Sequence, residues 1–567
     1  MPDRAAEAAG RRLLVPARAA RYRAATSISV TQLATEHTPA MPRIPLRSHA
    51  ARLPLAAVLV LASGAAARAQ AFRPELQVVQ LNDVYRIDAV DNGLSGGIGR
   101  AVTLVERLKR EGGAPVRVFH AGDAIAPSLE SRYFGGRQMI DALNFLHARA
   151  PLLFVPGNHE FDERRDTIIS NAINASRFPW LAGNVAMKTA DSAAARRVGR
   201  DTVFTTESGM RVGVFTLTFL DSRRDYAQAD SAFVRIAEEQ IRRLERGRAD
   251  VIVGLTHLAL ETDQQIARLR KRHPKFLWIA GGHEHFLIHH PLSDSTAAIT
   301  KGDSNARRVW RVTLGRQGRR PAMRADSVVL DSTVAIDPTY RAQVTERWLA
   351  ALKEKVPFFN QTVGRASTLL DANEETVRNE ESAWGNWLTD QMRTAFVGVT
   401  TDAAILNGGA IRIDDSFTGE IRWEHLARTF GFPTRVGLAK VTGRDLRARV
   451  LENSVSGGRG EGRFLQVSGL RVRFDRSRPE GQRILDVRVQ RGEGWAPLAD
   501  DSVYTVAVPD YLLGGGDRYA FPQFARETVP PGPDLRLIAF DALSNAYASG
   551  RAIAPTVEGR LVDETPK

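Results

Sequence analysis

The segment Val155-Pro156-Gly157-Asn158-His159-Glu160-Phe161-Asp162 combines a strand ending, a turn and several side chains that can bind a metal ion or carry a proton. The apolar run at 152–155 predicts a buried strand, which the Pro-Gly pair ends. The Asn amide oxygen is a hard metal ligand, the His is a candidate acid, and the Asp three residues later can fix its tautomer. The stretch predicts a metal-binding or catalytic turn, with a purely structural loop as the alternative.

Four other apolar runs end in the same way, at a Gly, Asp, Asn or His residue. If all five runs are strands of one sheet system, their ligand-type residues emerge at the carboxyl ends, where open α/β folds place their sites. Helical patterns between the runs, such as those at 98–108 and 233–244, predict an α/β fold. The four runs are Leu76–Leu81 before Asn82-Asp83, Val116–His120 before Ala121-Gly122-Asp123, Val251–Leu255 before Thr256-His257, and Phe276–Ala280 before Gly281-Gly282-His283-Glu284-His285.

The composition bounds the class of protein. The chain has 567 residues, of which 43% are apolar and 25% charged, so we expect two domains with ordinary globular cores. The absence of cysteine excludes thiolate metal sites and leaves His and carboxylate ligation. Half of the formal charge of +14 lies in residues 1–69, and the other half is spread along the remaining chain, which favours a solvated surface that attracts anionic substrates over a nucleic-acid groove.

The first 69 residues have the features of a targeting segment and not those of a folded domain. Residues 1–40 are rich in Ala and Arg and are interpreted as a disordered upstream extension. Residues 41–69 resemble a secretory signal peptide, with three arginines, an apolar core at 53–62 and the cleavage motif Ala67-Arg68-Ala69. This core is too short to span a membrane, so we expect an exported protein, periplasmic or extracellular, or else an uncleaved anchor.

Beyond the signal, the pattern predicts three segments. A first domain covers 70–335 and turns to short strands at Trp310–Leu314 and Ser327–Leu330. A linker helix lies within 336–361, opened by Asp337-Pro338. A second domain covers 362–567 and includes a strand at Tyr504–Val508.

The order of the motifs along the chain resembles that of a known protein family, and the resemblance covers nearly the whole chain after residue 75. The motifs D, GD, GNHE, H and GHxH occur in this order along the chain, which resembles the order of motifs in the calcineurin-like metallophosphoesterases. Motifs in the second half narrow the resemblance to the bacterial 5′-nucleotidase family. It implies an α/β fold with α+β elements: a four-layer metallophosphoesterase β-sandwich flanked by helices, the linker helix, and a separate α/β substrate-binding domain. The second-half motifs are Glu380–Asn386 after Arg378, Leu406–Arg412, Phe464–Leu470 and Pro509–Asp517.

The resemblance also implies a cofactor and catalytic residues. Two divalent ions, of Mn, Zn, Mg, Co or Fe, are expected, with Asp123 as the bridging carboxylate. His159 is expected to stabilise the transferring phosphoryl group or to protonate the leaving oxygen, paired with Asp162. The implied metal ligands are Asp83 and His285 for one ion, Asn158, His257 and His283 for the other, and Asp123 for both.

One position departs from the family, which usually opens with Asp-x-His where this chain has Asp83-Val84-Tyr85. A free phenol has a pKa of about 10 and binds a divalent ion less readily than imidazole. Three outcomes stay open: water fills the gap, Tyr85 ligates as phenolate, or the first ion is held weakly. We expect the first.

Seven residues of the second half are implied to bind substrate. Arg378 and Arg412 are expected to grip phosphate, and Phe432 and Tyr511 to sandwich a base, with a domain rotation that brings the two halves together. The alternative for both aromatic residues is an ordinary core position. The full set is Arg378, Asn407, Gly409, Arg412, Phe432, Tyr511 and Asp517.

The function that the resemblance implies is release of phosphate from nucleoside 5′-monophosphates by attack of a metal-bound hydroxide. Hydrolysis of 2′,3′-cyclic nucleotides with 3′-nucleotides, or of UDP-sugars, is the alternative on the same fold. A catalytically weak nucleotide-binding protein is the third hypothesis, favoured only by Tyr85. The expected partner is a nucleotide or another small phosphorylated molecule, with no nucleic-acid polymer and no stable membrane span.

Overall fold

A computed structural model describes residues 71–220 and 224–566. The predicted signal peptide and upstream extension lie outside these residues. Within the described ranges, none of the helices combines the length and apolar character that crossing a bilayer requires.

Two sheets form the centre of the first half. The five predicted runs are all strands, three of them in the first sheet and two in the second. The first sheet has the spatial order Arg320–Val329, Arg308–Gln317, Phe72–Leu81, Val116–Ala121, Leu152–Val155, Trp180–Leu181 and Val198–Gly199. The second has the order Ile288–His290, Ala298–Lys301, Phe276–Gly282, Val251–His257, Arg211–Thr218 and Asp201–Thr205.

The two sheets pack face to face, and helices cover their outer faces. Val78, Phe119 and Val155 of the first sheet share a buried cluster with Val253 and Trp278 of the second. Apolar strands buried on both faces are typical of such a sandwich. The result is four layers, as the resemblance implied. The helices of this half are Ile98–Glu111, Leu129–Phe134, Arg137–His147, Thr167–Ala175, Ser192–Arg196, Phe233–Arg246 and Leu260–Ala267.

The linker and one hairpin differ in detail from the sequence expectation. The helix runs from Pro338 to Lys355 and contains a π-helical stretch at Arg341–Glu346. Asp337 caps its start by accepting a hydrogen bond from the backbone N–H of Tyr340. The predicted short strands near residue 310 are instead one hairpin with two ten-residue arms, because the cross-strand pairing continues beyond the buried positions.

The second half has its own sheets and helices. The boundaries at 335/336 and 361/362 stay predictions. Its five-stranded sheet has the order Leu465–Ser468, Ala403–Asn407, Val503–Pro509, Val436–Thr442 and Glu527–Val529, and its four-stranded sheet has the order Gly494–Pro497, Ile484–Arg491, Leu470–Phe474 and Leu561–Asp563. Thr362–Asp371 pairs with Ser416–Arg422. The α-helices are Glu374–Val377, Ala383–Thr394, Trp423–Thr429, Gly443–Asp445, Glu452–Ser456, Asp510–Leu513, Phe521–Phe524 and Leu535–Ala548.

Buried ion pairs join the two halves. Arg86 donates to Asp415 over 2.7 Å, and Arg428 of the second half lies 2.7 Å from the buried carboxylate of Glu130. Arg132 donates to a backbone carbonyl of the second half, that of Phe430. Removing one partner of a buried pair leaves an uncompensated buried charge, which costs about 3–5 kcal/mol.

Candidate metal centre and substrate site

The carboxyl ends of the parallel strands bring the predicted ligands together. In the first sheet Ala121 lies opposite Val155, so the turns that carry Asp123 and Asn158 are neighbours. In the second sheet His257 lies opposite Gly282, immediately before His283. Because the two sheets face each other, both sets of turns meet at one end of the sandwich.

Asp83 and Asp123 are the buried anionic core of this site. Both have a left-handed backbone, with φ of 52° and 58°, which turns the side chain sharply from its strand. One oxygen of Asp123 lies 3.3 Å from Nε2 of His257, and one oxygen of Asp83 lies 3.4 Å from Nε2 of His285. Ligand atoms of Asp83, Asp123 and His257 all lie within 4.8 Å of one another, a spacing that suits a metal ion.

His257 is oriented by the backbone. Its Nδ1 lies 2.7 Å from the carbonyl of Ala121, which can only accept, so Nδ1 carries the proton. The Nε2 atom therefore faces the cluster, 3.1 Å from the amide oxygen of Asn158. Burial lowers the pKa of His257, but the charge of Asp123 outweighs it and raises the pKa to about 10. A proton thus occupies the cluster until a cation displaces it.

His283, a predicted ligand on this side of the site, is a neutral imidazole. Its backbone N–H donates to Asp83 over 2.9 Å, and its ring lies 5.5 Å from that of His257. Burial, reinforced by the positive charge of His257, lowers the pKa of His283 to about 3. A neutral imidazole is the form that binds a metal ion.

Tyr85 lies inside the cluster, where the family has an imidazole. Its hydroxyl oxygen is 3.3 Å from Asp83, 3.2 Å from Asp123 and 3.0 Å from Nε2 of His285. Burial raises the pKa of Tyr85 well above its usual value, and both carboxylates raise it further. In this arrangement the group is a protonated phenol, held among three predicted ligands of one ion.

His159 and Asp162 form the predicted pair. Nδ1 of His159 lies 2.9 Å from a carboxylate oxygen of Asp162, and its backbone N–H donates to Asp123. Burial lowers the pKa of His159, but Asp162, followed by Asp123, more than offsets this and raises it to about 9. The ring therefore carries positive charge at neutral pH, at the edge of the metal cluster.

Glu160 is a residue of the site that the sequence reasoning did not single out. Its buried carboxylate accepts hydrogen bonds from the backbone N–H groups of Asp123, Ala124, Ile125 and Gly157, at 2.6–3.0 Å. One side chain thus fixes both turns of the first sheet. Its position within the GNHE motif was the available signal.

Two side chains of the second half, Arg412 and Phe432, lie next to the cluster of predicted metal ligands. The guanidinium carbon of Arg412 lies 5.3 Å from the centre of the Tyr85 ring and 5.1 Å from that of Phe432. The Phe432 ring is in turn 5.5 Å from the ring of His159. The Nε and Nη1 atoms of Arg412 are buried and have no hydrogen-bond partner within the described ranges. The core alternative therefore does not apply to Phe432; Phe430, two residues earlier, is the core residue.

Asn407, Tyr511 and Asp517 form a second polar group. One oxygen of Asp517 accepts from the Asn407 amide over 2.8 Å, and the other from the Tyr511 hydroxyl over 3.1 Å. Tyr511 is 53% exposed, so it is not a core residue either. Gly409 lies beside Gly462, where an added Cβ would be 3.2 Å from the Gly462 Cα, so a larger residue there would require Gly462 to shift by a few tenths of an ångström.

Arg378 is engaged by protein groups. Its guanidinium pairs with Glu374 and donates to the carbonyl of Gly460 over 3.2 Å. The same carboxylate lies 2.5 Å from Nδ1 of His285. Glu374 is thus a second residue of the site that sequence reasoning missed, and no local pattern marked it.

Comparisons with known proteins agree with this geometry. A model of calcineurin-like phosphoesterases matches residues 76–287, and a model of the 5′-nucleotidase C-terminal domain matches residues 362–526. The 5′-nucleotidase of Homo sapiens is 26% identical over 90% of this chain and 94% of its own length. The snake venom 5′-nucleotidase of Naja atra is 25% identical over 78% of this chain and 91% of its own. The crystal structure of a 5′-nucleotidase precursor from Thermus thermophilus shares the fold, with a TM-score of 0.70 and 24% identity over 87% of this chain and all of that one.

The four-layer fold and its carboxylate–imidazole centre define a metallophosphoesterase, a metal-dependent hydrolase of phosphoester bonds. The two family models together match more than half of the chain, in the order that the sequence predicted. The chain belongs to the 5′-nucleotidase family.

Proposed function

We propose that this protein releases phosphate from nucleoside 5′-monophosphates with the help of two divalent metal ions. The observation that supports the proposal best is the convergence of Arg412, with two unpartnered guanidinium nitrogens, on the carboxylate–imidazole cluster. A buried guanidinium of this kind binds a phosphate dianion bidentately. The names of the relatives favour nucleoside 5′-monophosphates over cyclic nucleotides and UDP-sugars.

The donor set fits divalent cations. Carboxylate, amide and imidazole groups suit Mn, Zn, Fe, Co or Mg, and the described part of the chain offers no thiolate. We propose Asp83, Asp123 and His285 for one ion, and Asp123, Asn158, His257 and His283 for the other. When bound, such ions supply Lewis-acid polarisation of the phosphoryl oxygens and lower the pKa of water.

The protein's own groups would bind and orient the substrate. Arg412 holds the phosphoryl group, and the cationic ring of His159, charged because of Asp162, stabilises negative charge on it or donates its Nε2 proton to the leaving oxygen. The ring of Phe432, 5.5 Å from the ring of His159, would stack on the base from the side of the metal centre. The exposed ring of Tyr511 offers a stacking surface, and Asp517 accepts hydrogen bonds from hydroxyl groups of a ribose.

Phosphate release from a substrate panel tests the proposal. The metal-depleted protein should be inactive, and added Mn²⁺ should restore release from AMP at a higher kcat/KM than from 3′-AMP, 2′,3′-cyclic AMP or UDP-glucose. A His159→Asn variant, purified identically, controls for contaminating phosphatase. Tight AMP binding without release would instead favour the nucleotide-binding hypothesis.

Export of the mature protein is also proposed, on the signal-like residues 41–69. N-terminal sequencing of protein from cells should begin at Gln70. An intact residue 50 would contradict cleavage.

A further inference from the structure

Glu374 contacts groups from both halves of the protein. Its carboxylate lies 2.5 Å from Nδ1 of His285, which belongs to the predicted metal centre of the first half. It also accepts a hydrogen bond from the hydroxyl of Ser304, again of the first half, and pairs with Arg378 of the second. Three donors thus converge on one largely buried carboxylate, whose side chain is 12% exposed.

The backbone holds Glu374 in this place. The residue opens the short helix Glu374–Val377, and its backbone N–H donates to Asp414 over 2.9 Å. Asp414 is in turn paired with Arg307 of the first half and accepts from the amide of Asn305 over 2.9 Å. The segment that carries Glu374 is therefore itself held against the first half, which places the carboxylate of Glu374 beside Nδ1 of His285.

The contact decides which nitrogen of His285 faces the cluster. A carboxylate paired with an arginine can only accept, so Nδ1 of His285 must donate. The electron pair of Nε2 then points at the group formed by Tyr85 and Asp83, at 3.0 and 3.4 Å. Such a carboxylate behind a ligating imidazole fixes its tautomer and raises its basicity, and its loss typically weakens metal binding by about 10- to 100-fold.

We propose that Glu374 is a positioning residue through which the second half of the chain sets the metal affinity of the first. It acts on the ion position of Asp83, Asp123 and His285 and leaves the position of Asn158, His257 and His283 unaffected. This inference deepens the proposed function, on whose metal centre it rests. It also gives the second half a role in building the centre, besides binding substrate.

The test is Mn²⁺ binding to the full chain after metal removal, by calorimetry and by electron paramagnetic resonance. In Glu374→Gln, one class of Mn²⁺ site should weaken by about 10- to 100-fold, while the other keeps its affinity. The matched control is Glu375→Gln, because Glu375 is the exposed neighbour on the same short helix. It should bind Mn²⁺ as the wild type does.

Two further readouts separate positioning from general damage. Activity of Glu374→Gln should fall at low Mn²⁺ and recover at high Mn²⁺. Glu374→Asp keeps the charge but has a shorter reach, so an intermediate affinity is expected. Wild-type Mn²⁺ affinity in both variants, or equal weakening of both sites, would overturn the proposal. Because Mn²⁺ binding is measured without substrate, the two proposals can fail separately. A wild-type protein that binds Mn²⁺ but does not hydrolyse AMP would contradict only the proposed function.

Discussion

The hydroxyl of Tyr85 lies 3.0 Å from Nε2 of His285, in the middle of the residues that we propose as ligands of one metal ion. Asp83 and Asp123 are within 3.3 Å of the same oxygen. The phenol is protonated because burial and two carboxylates raise its pKa. A cation that binds there must move the phenol or displace its proton.

Replacing Tyr85 with His should therefore increase metal binding at the first position. We expect Tyr85→His to bind two Mn²⁺ ions tightly, with affinity for the second at least about tenfold above that of the wild type, because neutral imidazole is a better ligand than phenol. Metal analysis after dialysis measures the stoichiometry. Tyr85→Phe removes only the hydroxyl group and is the size-matched control; two tight ions in the wild type would contradict this expectation.

Arg412 is expected to contribute to phosphate binding. Arg412→Met should lower kcat/KM for AMP by about 10- to 100-fold, because a charge-assisted, bidentate contact is lost. Arg412→Lys should recover only part of the loss, since an ammonium group lacks the planar fork. Steady-state kinetics provide the measurement. Arg444→Met, at a surface ion pair with Asp501, is the control and should leave kcat/KM unchanged.

The pair of His159 and Asp162 predicts a pH effect. The carboxylate raises the pKa of His159, so the imidazolium form persists into the alkaline range and is lost as the pH rises through that pKa. In Asp162→Asn the raising charge is gone, so the alkaline limb of kcat/KM should move to lower pH. A pH–rate profile at saturating Mn²⁺ tests this. An unmoved alkaline limb would show that His159 does not act through its charge.

Glu160 is predicted to matter for stability as well as for the site. Four backbone N–H groups from two turns depend on its carboxylate, and Gln offers them only one accepting oxygen. Glu160→Gln should lower the free energy of unfolding by about 1–3 kcal/mol and weaken metal binding. Urea denaturation measures this free energy of unfolding. The control is Glu163→Gln, a substitution at an exposed position of the same loop. Wild-type stability in Glu160→Gln would contradict the assigned role.

His425 predicts acid sensitivity away from the metal centre. Burial, with a smaller effect of Arg422, lowers its pKa from 6.5 to about 4, and its Nδ1 accepts from the backbone N–H of Arg422. Since the folded-state pKa is depressed, protonation favours unfolding, and stability present above pH 6.5 is lost as the pH falls toward 4. The loss is at most about 3 kcal/mol. Urea unfolding of metal-free protein at pH 7.5 and 4.5 should show a smaller difference in His425→Gln than in the wild type or the exposed-site control His289→Gln.

The strands, their endings and the class of chemistry could be predicted from local sequence patterns. An apolar run that stops at Gly-Asp or Gly-Asn-His reports burial and turn formation, which are local properties, so Leu152–Val155 and the turn after it were predictable. The helix Ile98–Glu111 was predictable for the same reason, from its apolar face and the Gly112 that follows it.

The assignment of strands to sheets, and the distant residues that complete the site, became visible in the three-dimensional packing. His285 and Glu374 are 89 positions apart, and no periodicity or motif relates them. Their contact exists because the two halves pack against each other through buried ion pairs such as Arg86 with Asp415. Long-range packing of this kind depends on the complete fold, whereas strand and turn signals depend only on neighbours along the chain.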